Sequence, residues 1–371
     1  MGEVILKEVW KKYDQVDAVK GLSFEVKEGQ CVVILGSSGA GKTSTLKMIA
    51  GLEEATSGEI HIDGRLANYL EPHERNVAMT FETYALYPHM TVYENLAFPL
   101  RSPRHRRPEP EIKDRVVKVA KLLGIDMLLD RNPGQLSQGQ KQRTGLGRTL
   151  VREPSVFLFD EPLSHLDAKL RNRMRTEIKR IQEELKTTSV FVTHDYLEAL
   201  SLGDQIVVLN EGVRQQVGTP VEIFNHPANI FVAELVGDPP VNLLDAKVVA
   251  RDGGLAFYLE GGGCEIPMLK NVADMLAYKK DQAVTLGIRP MHLIPYMVEE
   301  PVCQIAGTVY SWERIETKGV MSVKVGELVI HAETPGIFKY TPDQPVWLSV
   351  DLEEVRVFDK ATSMVIAPYT A

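Results

Sequence analysis

Three stretches of this sequence hold residue types whose chemistry converges on one reaction. Residues 36–43 read "GSSGAGKT" and satisfy G-x-x-x-x-G-K-[ST], after a strand-forming run at 30–35 and before an amphipathic helical run that reaches Gly51. Glycine at 36, 39 and 41 lets successive backbone N–H groups wrap a phosphate. Gly36, Ser37, Ser38, Gly39, Ala40, Gly41, Lys42, Thr43 and Ser44 therefore form the candidate nucleotide-phosphate set. Lys42 adds a point charge for the β and γ oxygens, and the Thr43 hydroxyl suits Mg2+. Far downstream, "VFLFDEP" sets Asp160 and Glu161 at the carboxyl end of an apolar strand, the edge at which α/β sheets bind ligands. Asp160 suits the Mg2+ shell. Glu161 is the candidate general base for an attacking water, since two adjacent carboxylates can divide metal binding from proton acceptance. "SVFVTHD" puts His194 at the end of a third strand, where a hydrogen bond to a γ-phosphate is feasible. Together these stretches imply a site for ATP hydrolysis.

The elements that must hold them are legible in the hydrophobic pattern. Short apolar runs at 31–35, 156–159, 190–192 and 206–209 alternate with helical periodicity, which predicts an α/β domain around a mostly parallel sheet over residues 1–238. Leu170, Met174, Ile178, Ile181 and Leu185 recur at spacings of three and four, giving a helix with one apolar face and Asp167 as its cap. After "GDPPVNLL" (237–244) the texture changes to β-rich segments such as "AVTLGI", "VMSVKV" and "LVIHAE", separated by turn residues. That predicts a second, small-barrel domain of antiparallel strands over 239–371, with the boundary at Pro239 and Pro240.

The stretch "LSQGQKQR" (136–143) starts as a capped helix, Ser137 and Gln140 forming an S-x-x-Q box, and its free N–H groups and positive dipole end suit an anion. It lies between the phosphate loop and the acidic strand end. There it resembles the LSGGQ signature of ATP-binding cassette (ABC) proteins. "SHLD" (164–167) is similar to the loop that touches the opposite subunit in that family, His194 to its switch histidine, and Tyr13 to the aromatic that stacks on adenine. The resemblance implies a P-loop NTPase (RecA-like) ABC domain with a helical subdomain at about 85–152. It implies two cassettes packed head to tail, with each ATP between the phosphate loop of one copy and Ser137, Gly139 and Gln140 of the other. With one cassette encoded here, a homodimer follows.

Residues 76–100 are similar to the region through which importer ATPases contact their membrane subunits. "VGDPPVNLL" and "LGIRPMHL" are similar to the OB-type regulatory domain of the maltose-type group. The family implied imports carbohydrates, polyols or glycerol phosphates. Its partners are two integral membrane permeases and, indirectly, an extracytoplasmic solute-binding protein; its place is peripheral, on the cytoplasmic face of the inner membrane. Polyamine, ferric iron or sulfate import is the rival within the family. A soluble cassette of translation or repair would carry two fused cassettes or a coiled-coil insertion, and neither is present. Three positions depart from the family pattern: Glu82 where glutamine usually ligates Mg2+, Gln138 for the first signature glycine, and His165 in the partner-touching loop. An added carboxylate beside the γ-phosphate puts fast hydrolysis in question and leaves open a module that holds nucleotide without hydrolysing it.

Composition sets the outer limits. A net charge of −8 gives no footprint for nucleic acid, and no apolar run or leader suggests a membrane helix or a signal peptide. Cys31, Cys264 and Cys303 show no metal-ligand spacing and no full pairing, as expected of a reducing compartment. The basic cluster at 101–113, broken by three prolines, reads as a connecting loop.

Overall fold

The computed structural model describes residues 2–81, 83–103, 106–164, 166–251, 254–302, 304–315, 317–337 and 339–367. The chain divides into two compact units, Met1–Pro220 and Val221–Ala371.

The first unit runs β1 (Val4–Tyr13), β2 (Val16–Val26), β3 (Cys31–Gly36), α1 (Lys42–Ala50), β4 (Ser57–Ile62), β5 (Arg65–Leu66), β6 (Val77–Thr80), α2 (Val92–Arg101), α3 (Glu109–Leu122) and α4 (Gln138–Leu150). It continues with β7 (Val156–Asp160), α5 (Ala168–Leu185), β8 (Thr188–Thr193), α6 (Tyr196–Leu202), β9 (Gln205–Asn210) and β10 (Val213–Gly218). A six-stranded sheet takes the order β10-β9-β3-β8-β7-β6. All its neighbours pair in parallel except β9 and β10. Every residue of β3, β7 and β8 is buried, which is why these strands read as unbroken apolar runs rather than alternation. Their carboxyl ends point one way, so Gly36, Asp160 and Thr193 finish along one edge. The layer β2-β1-β4-β5 is antiparallel and shares a core with the parallel sheet, with Leu6, Val9, Ile34, Leu158 and Val192 among its buried members.

The basic cluster spans the end of α2, a connection and the start of α3. Arg101 pairs bidentately with Glu109 at 2.8 Å, and Arg107 lies 3.5 Å from both Glu111 and Glu153, so these charges serve the connection itself. Arg104 lies outside the described residues.

The second unit begins with α7 (Pro220–Asn225) and α8 (Ile230–Leu235), followed by β11 (Asn242–Arg251), β12 (Gly254–Leu259), β13 (Glu265–Pro267), α9 (Lys270–Leu276) and β14 (Ala283–Ile288). Next come β15 (Leu293–Tyr296), β16 (Ile305–Ile315), β17 (Lys318–Val325), β18 (Leu328–Pro335), β19 (Pro345–Val350), β20 (Arg356–Asp359) and β21 (Val365–Ala367). Two antiparallel sheets, β13-β12-β11-β14-β20-β21 and β15-β19-β16-β17-β18, enclose one apolar core. Asn242, from the "VNLL" stretch, ties them. Its amide donates to the Ile288 and His331 carbonyls at 3.0 and 2.8 Å and accepts the His331 N–H at 2.7 Å.

The units divide after Pro220, earlier than the change of texture at Pro239 suggests. Arg289 explains the shift: it donates to the Phe224 carbonyl at 2.6 Å and stacks over the Phe224 ring at 3.9 Å, while Arg356 donates to the Asn225 carbonyl at 2.8 Å. Two arginines of the β-rich unit thus hold α7. Among the described residues no helix is long and apolar enough to cross a membrane.

Candidate active site

The phosphate loop leaves β3 at Gly36 and enters α1 at Lys42. Gly39 and Gly41 both adopt the left-handed region, at φ 80° and 94°, and a Cβ at Gly41 would stand 2.3 Å from the Ala18 carbonyl oxygen, so a side chain there is excluded on both counts. At Gly39 a Cβ would meet nothing within 4 Å, because the loop bows over open space. That space is a cleft of about 600 Å³, lined by Ala18, the whole loop from Ser37 to Ser44, Glu161 and His194. Its size suits a nucleotide's phosphates. The amino terminus of α1 borders it, the helix end whose dipole suits an anion.

Five side chains converge here from three places in the fold: Lys42 and Thr43 at the start of α1, Asp160 and Glu161 at the end of β7, and His194 just after β8. Lys42 is 5% exposed; its Nζ donates to the Ser37 carbonyl at 2.9 Å and lies 3.7 Å from Glu161 Oε1. The Thr43 hydroxyl donates to Asp160 Oδ1 at 2.9 Å; Asp160 is 3% exposed at the end of β7, and its N–H donates to Thr80 Oγ1 at 3.2 Å. A hydroxyl and a buried carboxylate in contact form a hard oxygen donor pair of the kind Mg2+ prefers. Glu161 holds φ 44°, a left-handed conformation that is strained for a residue with a side chain. The strain is secured on both sides: Glu161 N–H donates to the Val192 carbonyl at 3.0 Å, and the Glu161 carbonyl accepts from the Ser164 hydroxyl at 3.0 Å and from Gln142 at 3.4 Å. This turn aims the carboxylate at the cleft. His194 Nδ1 lies 3.0 Å from Glu161 Oε2, within hydrogen-bond distance of the carboxyl group.

The other expected residues sit elsewhere. Tyr13, at the end of β1, bonds through its hydroxyl to Glu53 and, at 3.3 Å, to Ser44 Oγ, which brings its ring to the rim of the phosphate loop. Burial and the Glu53 contact raise its phenol above the ordinary value, so it stays neutral. Ser137 caps α4: its Oγ accepts from Gln140 N–H at 3.4 Å, and Gln140 Oε1 accepts from Ser137 N–H at 2.9 Å. Ser137, Gly139 and Gln140 do not line the cleft of their own chain. Asp167 caps α5 by accepting from Leu170 N–H at 2.9 Å, and Met174 and Ile178 bury the face expected of that helix. Glu82 and His165 lie outside the described residues, as does Cys303. Cys31 is buried and burial pushes its thiol up to about 11, so it offers no thiolate.

Sequence reasoning missed two supports. Gln142 reaches from the signature helix to the Glu161 carbonyl; nothing in an i, i+4 pattern marks such a contact. Arg75 is 6% exposed and closes the far end of α1, donating to the Met48 and Ile49 carbonyls at 2.7 and 3.1 Å. A cation at the last turn satisfies orphan carbonyls and opposes the helix dipole.

Comparison with known proteins agrees with this geometry. The ABC transporter family pattern matches residues 19–164, and the pattern described as MalK OB fold domain matches 237–293. The chain is 42% identical to the trehalose/maltose import ATP-binding protein MalK of Thermococcus litoralis, over 99% of this chain and 100% of that protein. It is 47% identical to the sn-glycerol-3-phosphate import ATP-binding protein UgpC of Psychromonas ingrahamii, over 98% and 95%. Among solved structures, a dimeric post-hydrolysis state of the ATP-binding cassette MJ0796 bound to ADP and Pi superposes with a TM-score of 0.55 at 31% identity, over 58% of this chain and 98% of that one. Its fold, its site and these likenesses together assign the chain to the ABC family, as an ATPase of the MalK and UgpC type that energises an importer.

Proposed function

We propose that the chain works as a homodimer bound to two membrane permease subunits, at the cytoplasmic face, and drives import of a carbohydrate, polyol or glycerol phosphate. The observation that carries the reading is the convergence of Lys42, Thr43, Glu161 and His194 on one cleft at the carboxyl edge of the parallel sheet, with Asp160 bonded to Thr43. Thr43 and Asp160 would hold Mg2+, which supplies positive charge to the phosphate oxygens. Lys42 would turn from the Ser37 carbonyl to those oxygens, the loop N–H groups would surround them, and Tyr13 would stack on the adenine. Glu161 accepts a proton from water, and His194 fixes the carboxylate at 3.0 Å. Ser137 and Gly139 would complete the site of the second copy, since neither lines the cleft of its own chain.

A second cavity of about 180 Å³ supports permease docking. Phe81, Tyr84, Tyr87 and Phe98 line it together with Arg148, which stacks over Tyr87 at 4.7 Å. Most of its lining falls in residues 76–100, the region similar to the permease-contacting segment, and the rest comes from Gly145, Arg148, Thr149 and Arg152. The solute class rests on the names of the relatives, which include a sulfoquinovosyl glycerol transport protein of Agrobacterium fabrum at 42% identity. The test reconstitutes the chain with its permeases and binding protein in liposomes. ATP hydrolysis is expected to rise when a sugar, polyol or glycerol phosphate is supplied. A response confined to polyamines, ferric iron or sulfate would overturn the solute assignment.

A further inference from the structure

Four polar side chains that the roles above do not use gather about His194: Thr193, Asp195, Glu198 and Arg171. With Glu161, Ser164 and His194 they enclose a cavity of about 20 Å³. Thr193 ends β8 and is 2% exposed; Glu198 lies in the first turn of α6 and is 3% exposed. The Thr193 hydroxyl donates to Glu198 Oε2 at 2.7 Å, and Thr193 Oγ1 accepts the Asp195 N–H at 3.0 Å. One hydroxyl has one proton and two lone pairs, so it can donate to Glu198 and accept from Asp195 at once. Asp195 is the N-cap of α6 and Glu198 its third residue. In an ordinary capping box that glutamate would reach the N-cap N–H directly. Here a buried hydroxyl stands between them, and His194 is the residue between the hydroxyl's own backbone and the N–H it accepts.

Capping alone does not require this. Asp195 Oδ1 already accepts from the Leu197 and Glu198 N–H groups at 2.8 and 3.3 Å. A carboxylate is costly to bury, and burial raises Glu198 above its ordinary value although the Thr193 hydrogen bond opposes the rise. Arg171 extends the arrangement: Nη1 lies 3.6 Å from Asp195 Oδ2, and Nη2 donates to the Ser164 and Leu166 carbonyls at 3.4 and 3.2 Å. The backbone on both sides of His194 is therefore anchored, and the anchor reaches the loop that follows Glu161.

We propose that Thr193, held by the buried Glu198, is a positioning residue that sets the backbone of His194 so that its ring meets Glu161. The proposal rests on the reading of Glu161 and His194 as the hydrolytic pair. The test uses the full chain with ATP and Mg2+, in steady-state and single-turnover hydrolysis, the latter followed for hours so that slow variants stay measurable. Thr193→Val keeps the side chain's volume and removes the hydroxyl; kcat is expected to fall about 10-fold to 10²-fold with KM for ATP unchanged, the scale of a misplaced catalytic group. Thr193→Ser restores the hydroxyl and is expected to recover most of the loss, although it removes a buried methyl and melts lower. Turnover and thermal stability thus rank the variants differently, which a purely structural role does not produce. In a His194→Ala background, Thr193→Val is expected to cost nothing further, because its effect passes through the missing ring.

Wild-type turnover in Thr193→Val, equal losses in the Val and Ser variants, or additive losses with His194→Ala would each overturn the proposal. If Thr193→Val does not fold, Glu198→Met removes the same anchor from the other end and is expected to show the same fall in kcat. Failure of both to fold assigns the pair to stability and also overturns it. Full turnover in His194→Ala alone would instead refute the reading of His194 on which the proposal stands.

Discussion

Glu161→Gln is expected to bind ATP as the parent does and to hydrolyse it about 10²-fold to 10⁴-fold more slowly, the usual contribution of a general base. An amide cannot accept the water's proton. The substitution is close to isosteric, and it leaves the supports of the φ 44° turn untouched, because those contacts use the Glu161 N–H and carbonyl rather than its carboxylate. Loss of the charge 3.7 Å from Lys42 frees the ammonium for phosphate, so ATP affinity holds or rises. The slow step then traps the nucleotide, and the variant should collect as a closed, ATP-loaded dimer. Phosphate release with the membrane subunits present measures the first effect and size-exclusion chromatography with ATP the second. Undiminished turnover would remove Glu161 from the role of base.

Lys42→Ala is expected to act on binding instead. The ammonium is buried, donates to the Ser37 carbonyl and is aimed into the phosphate cleft. A charge-assisted hydrogen bond contributes about 1.5–3 kcal/mol. Losing it weakens ATP binding on the order of 10²-fold. Position 42 opens α1, where alanine is a good helix former, so the fold should survive. Titration calorimetry with ATP and Mg2+ reads the affinity, and circular dichroism checks the helix content. An affinity within about twofold of the parent, in a folded protein, would mean that the phosphates lie elsewhere.

What could be read before the structure, and what could not, follows from the range of each signal. β3, β7, β8 and β9 are continuous apolar runs with special residues at one end, so strand, edge and site are all local in sequence. The antiparallel layer was not legible. β1 slips register between Leu6 and Val9, with Glu8 at φ 48°, and the bulge breaks the alternation that marks a half-buried strand. The compact unit that holds the β-rich segments begins at Val221, ahead of the change of composition at Pro239, because α7 is held by Arg289 and Arg356, 50 and 117 residues beyond Pro239 and outside any local signal. Thr43 with Asp160 shows the opposite case. The two are far apart in sequence, yet each sits in a motif whose chemistry demands the other, so their contact at 2.9 Å was foreseeable. Arg75, Gln142 and Glu198 belong to no such motif. Their roles arise from contacts that only the fold creates.

The central claim is that "LSQGQKQR" completes the site of a second copy, and subunit exchange tests it most directly. Two inactive proteins are prepared, Lys42→Ala and Ser137→Arg, and mixed until exchange is complete, when about half the dimers carry one of each under random pairing. A signature acting on its own chain's ATP leaves a lesion in every site. A signature acting across the dimer gives each mixed dimer one intact composite site and one carrying both defects. The account predicts that hydrolysis, or at least ATP-dependent closure detected by cross-linking, returns in the mixture and in neither parent alone. Neither hydrolysis nor closure in samples shown to contain the mixed dimer would contradict it.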